Sequence, residues 1–181
     1  IQRMLPRTYL ANQMLIAMPA MDDPNFSRSV TYMCQHDADG AMGIGISRSA
    51  NFRLIEVLEQ MKISTALPEV AAQPVFLGGP VQNDRGFVLH EPCGDYLSSM
   101  RLRGGLCLTT SRDLLEAIAE GEGPRQYLVA LGFSGWGEGQ LEAEISQNSW
   151  LNAPVSRELM FSTPIEQRWQ KAAALMGVNW H

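Results

Sequence analysis

The segment GGPVQNDRGFVLH (78–90) carries an aspartate, an arginine and a histidine, Asp84, Arg85 and His90, along one short stretch. A carboxylate, a guanidinium and an imidazole are groups that hydrolysis or group transfer would use, provided they converge within hydrogen-bond reach in a cleft. No serine or cysteine lies close to His90 in sequence, and the chain has 3 histidines, one of them the terminal His181, which leaves little for a metal site. The plainer reading makes Asp84 a turn residue ion-paired with Arg85.

A second candidate is LTTSRD (108–113), where Thr109, Thr110 and Ser111 stand at a strand end before a helix. Ligands of open α/β sheets sit in such places, and the three hydroxyls could donate to a small anion. Helix capping alone accounts for Ser111. The third is ALGFSGWGEGQLEAEI (130–145), a strand leading through glycines to a helix. It fails G-x-G-x-x-G, because the third glycine position falls on Gln140 or Glu142, and it has no lysine for a P-loop. It also fails G-x-S-x-G, since Ser134 is followed by Gly135 and Trp136. Backbone N–H groups at the helix start could still face an anion, but Glu138, Glu142 and Glu144 would repel a phosphate. Gly135, Trp136, Gly139 and Gln140 therefore read as a tight structural corner. His36 with Asp37 and Asp39 has too few regularly spaced oxygens for a calcium loop.

These candidates must be positioned by a framework that the apolar pattern outlines. MLIAMPA (14–20) reads as a buried strand, and SVTYMCQ and AMGIGIS as a hairpin turning at Asp37, Asp39 and Gly40. Asn51 is placed to cap a helix with Leu54, Ile55, Leu58 and Met61 on one face, ending near Lys62. PVFLGG and RGFVLH suggest a strand pair around GGPVQND, which would put Gly78 and Gly79 in its connection. GLCLTT feeds a helix capped by Ser111, carrying Leu114, Leu115 and Ile118 and stopped by Gly121. QYLVALGF is a strand, and Thr163, Pro164 and Glu166 match a capping box before a helix that faces Trp169, Ala172, Ala173 and Met176 inward. About seven strands and four helices, with hairpins early and strand–helix alternation later, favour an α+β fold with a mixed sheet.

The 181 residues suit a single domain, 1–181, since a chain divides only beyond about 250–300 residues. A net charge of -5, with Lys62 and Lys171 the only lysines and the arginines scattered, is a poor grip for a polyanion, so direct nucleic-acid binding is not expected. Arg101 and Arg103 read as a solvated strand edge. Three cysteines without C-x-x-C spacing point away from disulfides and zinc, with Cys34 and Cys107 as small core residues. No run reaches the ~18 apolar residues of a membrane span. The N-terminal apolar patch, broken by Asn12, Gln13 and Pro19, reads as a strand and not a secretory signal, so a cytoplasmic location is expected. Isoleucine at position 1 suggests that the natural start lies upstream.

Five blocks in order, MLIAMPAMDDPNFSRSVTY, HDADGAMGIGI, FLGGPVQNDRGFVLH, LTTSRDLLEAIAEGEGPR and ALGFSGWGEGQLEAEISQNSWL, resemble the YqgE/AlgH family of bacterial proteins from about residue 10 to 178. Where that family typically reads INRP this chain has ISRS (46–49), with Ser47 and Ser49 in place of asparagine and proline. The resemblance implies a sheet curled into a small, partly closed β-barrel with surrounding helices. Members are often labelled transcriptional regulators.

Three functions are open to this sequence. One is a binding or regulatory module, with no catalytic residue, cofactor or metal, whose GGPV, LTTS and SGWGEGQ loops recognise a protein or small-molecule partner. Its expected site comprises Gly78, Gly79, Asp84, Arg85, His90, Thr109, Thr110, Ser111, Gly135, Trp136, Gly139 and Gln140, with Trp136 in an apolar groove. The second is a DNA-associated transcriptional regulator, against which the acidic first helix counts. The third is a hydrolase using Asp84, Arg85 and His90, a reading that fails if His90 is buried. The binding module is the preferred reading.

Overall fold

The computed structural model describes residues 9–177. The elements in order are β1 (Gln13–Ala17), β2 (Val30–Asp37), β3 (Gly40–Gly45), β4 (Ser49–Arg53), α1 (Leu54–Gln60), α2 (Pro68–Ala71), β5 (Pro74–Leu77), β6 (Val81–Glu91), β7 (Ser99–Arg101) and β8 (Cys107–Thr109). They continue with α3 (Arg112–Ala119), β9 (Gln126–Trp136), α4 (Gln140–Ser146), β10 (Trp150–Pro154), α5 (Arg157–Phe161), a 3-10 turn (Ile165–Gln167) and α6 (Arg168–Leu175). The sheet runs β10-β1-β2-β3-β9-β6-β8-β7, with β4 and β5 joined to it through β9, and curls into a half-barrel. Its one parallel pairing among the described residues, β5 with β9, makes it mixed, so the α+β reading holds.

β9 is the hub: it pairs with β3 near Trp136, with β5 through Val129–Leu131 and with β6 along most of its length. Successive side chains of a strand point to opposite faces, and here both faces are apolar. Phe87, Leu89, Leu128 and Ala130 enter the barrel interior with Met14, Ile16, Tyr32 and Ile44. Val88 and Val129 point outward to a second core under α1 and α3. Leu15, Ala17 and Met33, on the outer face of β1 and β2, form a third core with Trp136, Leu141 and Trp150. Trp169 and Ala172 of α6 pack into the interior, whereas Met176 is 40% exposed and does not join that face.

Several expectations are corrected. The elements missed in the sequence, β4, β7, β10, α2 and α5, are three to five residues long, too short to show a period. β5 and β6 do not pair with each other, because β9 lies between them. Gly78 and Gly79 pass so close to β9 that a Cβ on Gly78 would sit 2.2 Å from the Gly132 carbonyl oxygen. Asn51 lies in β4, and Arg53 takes the N-cap position of α1, with the Glu56 carboxylate accepting its N–H. Thr163 turns back to the Glu158 carbonyl, so Pro164 leads into the 3-10 turn and α6 starts later than a capping box would place it. Cys34 is a buried free cysteine, but Cys107 is bonded to Cys93. The chain after β6 returns beside β8 and brings the two Cα atoms to 5.3 Å, a separation that sequence spacing does not reveal.

Candidate binding site

A cavity of about 570 Å³ opens between α1, α3 and the outer face of β6, β8 and β9. Its apolar lining comes from Phe52, Val57, Met61, Val88, Leu115, Val129 and Leu131. Val57 of α1 and Met61, which caps its C-terminal end, are four residues apart and hence on one side of the helix. Gly86 and Val88 are two apart on β6, hence on one sheet face. Gly86 leaves the wall open: a Cβ built there meets nothing within 4 Å. Polar groups enter from Glu56, Asp84, Arg85, Thr109, Thr110 and Ser111.

Most of those polar groups are engaged, Arg85 with Thr110 and the others with residues outside the lining. Arg85 is exposed, its guanidinium reaching Thr110 Oγ1 at 3.4 Å and lying 5.9 Å from the centre of the Phe87 ring. It makes no ion pair with Asp84 among the described residues, and Asp84 lies within β6 and not in a turn. Ser111 occupies the N-cap position of α3, but its hydroxyl does not cap it. The hydroxyl accepts the Ser98 N–H at 3.0 Å and donates to Asp113 Oδ1 at 2.5 Å. Desolvation pushes the Asp113 carboxyl up, and hydrogen bonds from Ser111 and from the Leu97 and Leu114 amides outweigh it, holding the group below its ordinary value.

His90 does not belong to the cavity. It is fully buried, and five residues along an extended strand separate it from Arg85, about 17 Å at 3.4 Å per residue. Its Nδ1–H donates to the Pro92 carbonyl at 3.1 Å, which leaves Nε2 to accept the Thr109 hydroxyl at 2.7 Å. Ser99 completes the chain by donating to Thr109 Oγ1 at 2.6 Å. Burial, only partly offset by the bond to Pro92, keeps the imidazole pKa below its usual value. A neutral, saturated histidine in this position ties β6 to β8 and has no access to a substrate. The geometry does not assemble Asp84, Arg85 and His90 as the hydrolase reading requires.

The glycine corner is also filled. Trp136 is 5% exposed, so it lines no groove. Its indole N–H and that of Trp150 both donate to Glu144 Oε1 at 3.0 Å. Gln140 bridges the Gly137 N–H and Glu144 Oε2. Gly139 takes φ 71° at the N-cap of α4, a conformation that glycine adopts at little cost. Gly135 lies within β9. His36 is buried, with Nδ1 accepting the Leu10 N–H and Nε2 3.2 Å from Glu142. Ser47 accepts the Val30 N–H at 2.8 Å.

The structure thus gathers Asp84, Arg85, Thr109, Thr110 and Ser111 around one cavity and places Gly78, Gly79, His90, Gly135, Trp136, Gly139 and Gln140 elsewhere. Sequence reasoning missed the walls given by Phe52, Val57 and β9. Val57 is one residue from the predicted stripe of α1, and the two-sided apolar run of β9 was the available sign that residues such as Val129 face outward. Among the described residues no helix is long and apolar enough to cross a membrane, and no cluster of three or more His, Cys, Asp or Glu could hold a metal ion.

Comparison with known proteins agrees with this architecture. The solution structure of the AlgH protein from Pseudomonas aeruginosa superposes with a TM-score of 0.82 at 46% identity, covering 98% of this chain and 94% of that one. A Corynebacterium diphtheriae protein shares the fold at 21% identity, with a TM-score of 0.69 over 94% of this chain and 87% of its own. UPF0301 proteins of Nitrosococcus oceani and Thioalkalivibrio sulfidiphilus are 50% and 55% identical, covering 94% and 93% of this chain and 91% and 90% of their own lengths. The AlgH-like family model matches residues 14–181, and with relatives of this closeness over nearly the whole length the chain belongs to the AlgH-like family.

Proposed function

We propose that the protein is a non-enzymatic regulatory module that binds a small molecule in the cavity between α1, α3 and the sheet. The observation that carries this reading is the cavity itself: about 570 Å³, within the size range of ligand sites, with an apolar floor and a few polar groups at its edge. The arrangement suits an amphipathic molecule whose apolar body lies on Val88, Val129 and Leu131 and whose polar end meets Arg85 and Thr110. The groups a reaction would need are either spent in structural bonds, as with Ser111 and His90, or isolated, as with Asp84.

A thermal-shift screen of amphipathic metabolites tests the proposal, since a ligand at ~100 times its Kd adds about 2.7 kcal/mol. Gly86→Phe introduces a large side chain into the cavity from a position where an added Cβ meets nothing within 4 Å. A hit should lose its shift in that variant. A panel without hits, or hits indifferent to the substitution, would refute the reading.

A further inference from the structure

Arg168 opens α6 and is 4% exposed. Its Nε–H donates to the Thr163 carbonyl at 2.9 Å and Nη1 donates to the Ile46 carbonyl at 2.8 Å, while the guanidinium carbon lies 5.0 Å from the centre of the Phe76 ring. Burial lowers the guanidinium pKa to about 10, so it remains a cation at neutral pH. A guanidinium has five N–H donors, and two carbonyls leave part of that set unused. Neutral carbonyls and a ring face also leave the net charge without a counter-ion. No carboxylate among the described residues is within ion-pair distance, because the ion pairs there belong to His36, Arg112 and Arg157. A buried charge without a counter-ion is costly, and an anion seated beside it would offset that cost.

A cavity of about 320 Å³ adjoins this cation, between β5, the start of β9 and the connection from α5 to α6. Phe76, Leu128, Phe161 and Ile165 give it apolar walls, and Tyr127 adds a phenol. Burial, reinforced by Glu69, raises the Tyr127 pKa and keeps that phenol a neutral donor. The geometry points to a second ligand site, in which Arg168 binds the carboxylate of a small organic monoanion whose apolar body packs against Phe76, Leu128, Phe161 and Ile165. A single cation and apolar walls suit a monocarboxylate better than a strongly hydrated phosphate. Glu166, the one carboxylate in the lining, is exposed and disfavours a dianion further. The volume is at the lower end of the range for ligand sites, which fits a molecule of modest size. This site is separate from the α1/α3 cavity and stands whether or not that cavity binds a metabolite.

The test is a titration of the ¹⁵N-labelled chain with sodium hexanoate, following the Arg168 Nε–H and the amides of residues 161–163 and 165–168, with uncharged hexanamide as control. The expected result is saturable shifts centred on Arg168, with a Kd tighter than about 1 mM, and binding of hexanamide weaker by at least about tenfold. Shifts that do not saturate, that hexanamide reproduces, or that gather around Gly86 and Ser111 instead would overturn the proposal. Arg168→Gln removes two structural ties and can unfold the chain, so Ser162→Trp supplies a second variant, narrowing the cavity from an exposed position. Folded Ser162→Trp should bind hexanoate about tenfold more weakly; unchanged affinity in that variant counts against the site.

Discussion

Two outer faces of the same curled sheet are covered by helices and come out differently. Under α4, Phe26, Trp136 and Trp150 pack with ring centres 5.5 to 6.2 Å apart, and the Glu144 carboxylate takes both indole N–H groups. Under α1 and α3, Val88, Val129 and Leu131 form a floor with about 570 Å³ above it. Both surfaces are apolar, so burial alone does not decide which one closes. The α4 face closes because two indoles are wide enough to fill the gap and because one carboxylate satisfies the polar atom that each brings with it. The α1/α3 face stays open because β6 presents Gly86 where a side chain would otherwise stand.

The largest effect is expected from breaking the closed face. Trp136→Ala removes a nearly buried indole and deprives Glu144 of one of its two indole donors, which predicts a loss of about 3–5 kcal/mol in urea unfolding. A loss below about 1 kcal/mol would mean that α4 repacks freely and that the two faces do not differ in kind.

How much of this contrast the sequence disclosed follows from the range of each interaction. The hairpin at Asp37–Gly40, the stripe of α3 and the identity of β9 as a strand were legible because each rests on neighbours a few residues apart. The role of Trp136 as a structural residue was legible only as a corner; its partner Trp150 is fourteen positions away and the carboxylate they share lies between them. The cavity was half legible. LTTS and NDRG were singled out for their chemistry, but that β8 and β6 sit side by side depends on the register Val88–Thr109, which no local pattern encodes. The same limit concealed the Cys93–Cys107 bond and the burial of His90, whose partner Thr109, itself bonded to Ser99, comes from another strand.

A second prediction sharpens the comparison through pH: His90 anchors the strands that border the open face through bonds to Thr109 and Pro92, whereas the histidine on the α4 side, His36, lies 3.2 Å from the Glu142 carboxylate. In the folded chain burial depresses the His90 imidazole pKa; in the unfolded chain it sits near its ordinary 6.5. Above that value both states are neutral and His90 contributes no pH dependence. Below it the unfolded state binds the proton first, so stability falls as pH drops towards the folded value. Urea midpoints measured at falling pH should show this decline, and His90→Gln should remove His90's share of it. An acid limb identical in the variant would show that other groups carry the dependence.

The smallest effect is expected at the opening itself. Gly86 is not in a left-handed conformation, so an alanine there needs no backbone adjustment and reduces the freedom of the unfolded chain. Gly86→Ala should therefore stabilise the fold by about 0.4–1 kcal/mol in the same urea assay. Gly132 provides the contrast within the same pair of strands: its φ is 78° and an added Cβ would meet the Gly79 carbonyl oxygen at 2.4 Å, so its alanine variant should lose stability. If Gly86→Ala also destabilised, the space beside it would be filled in solution by a movement of α1 or α3, and the open face would be as closed as the one under α4.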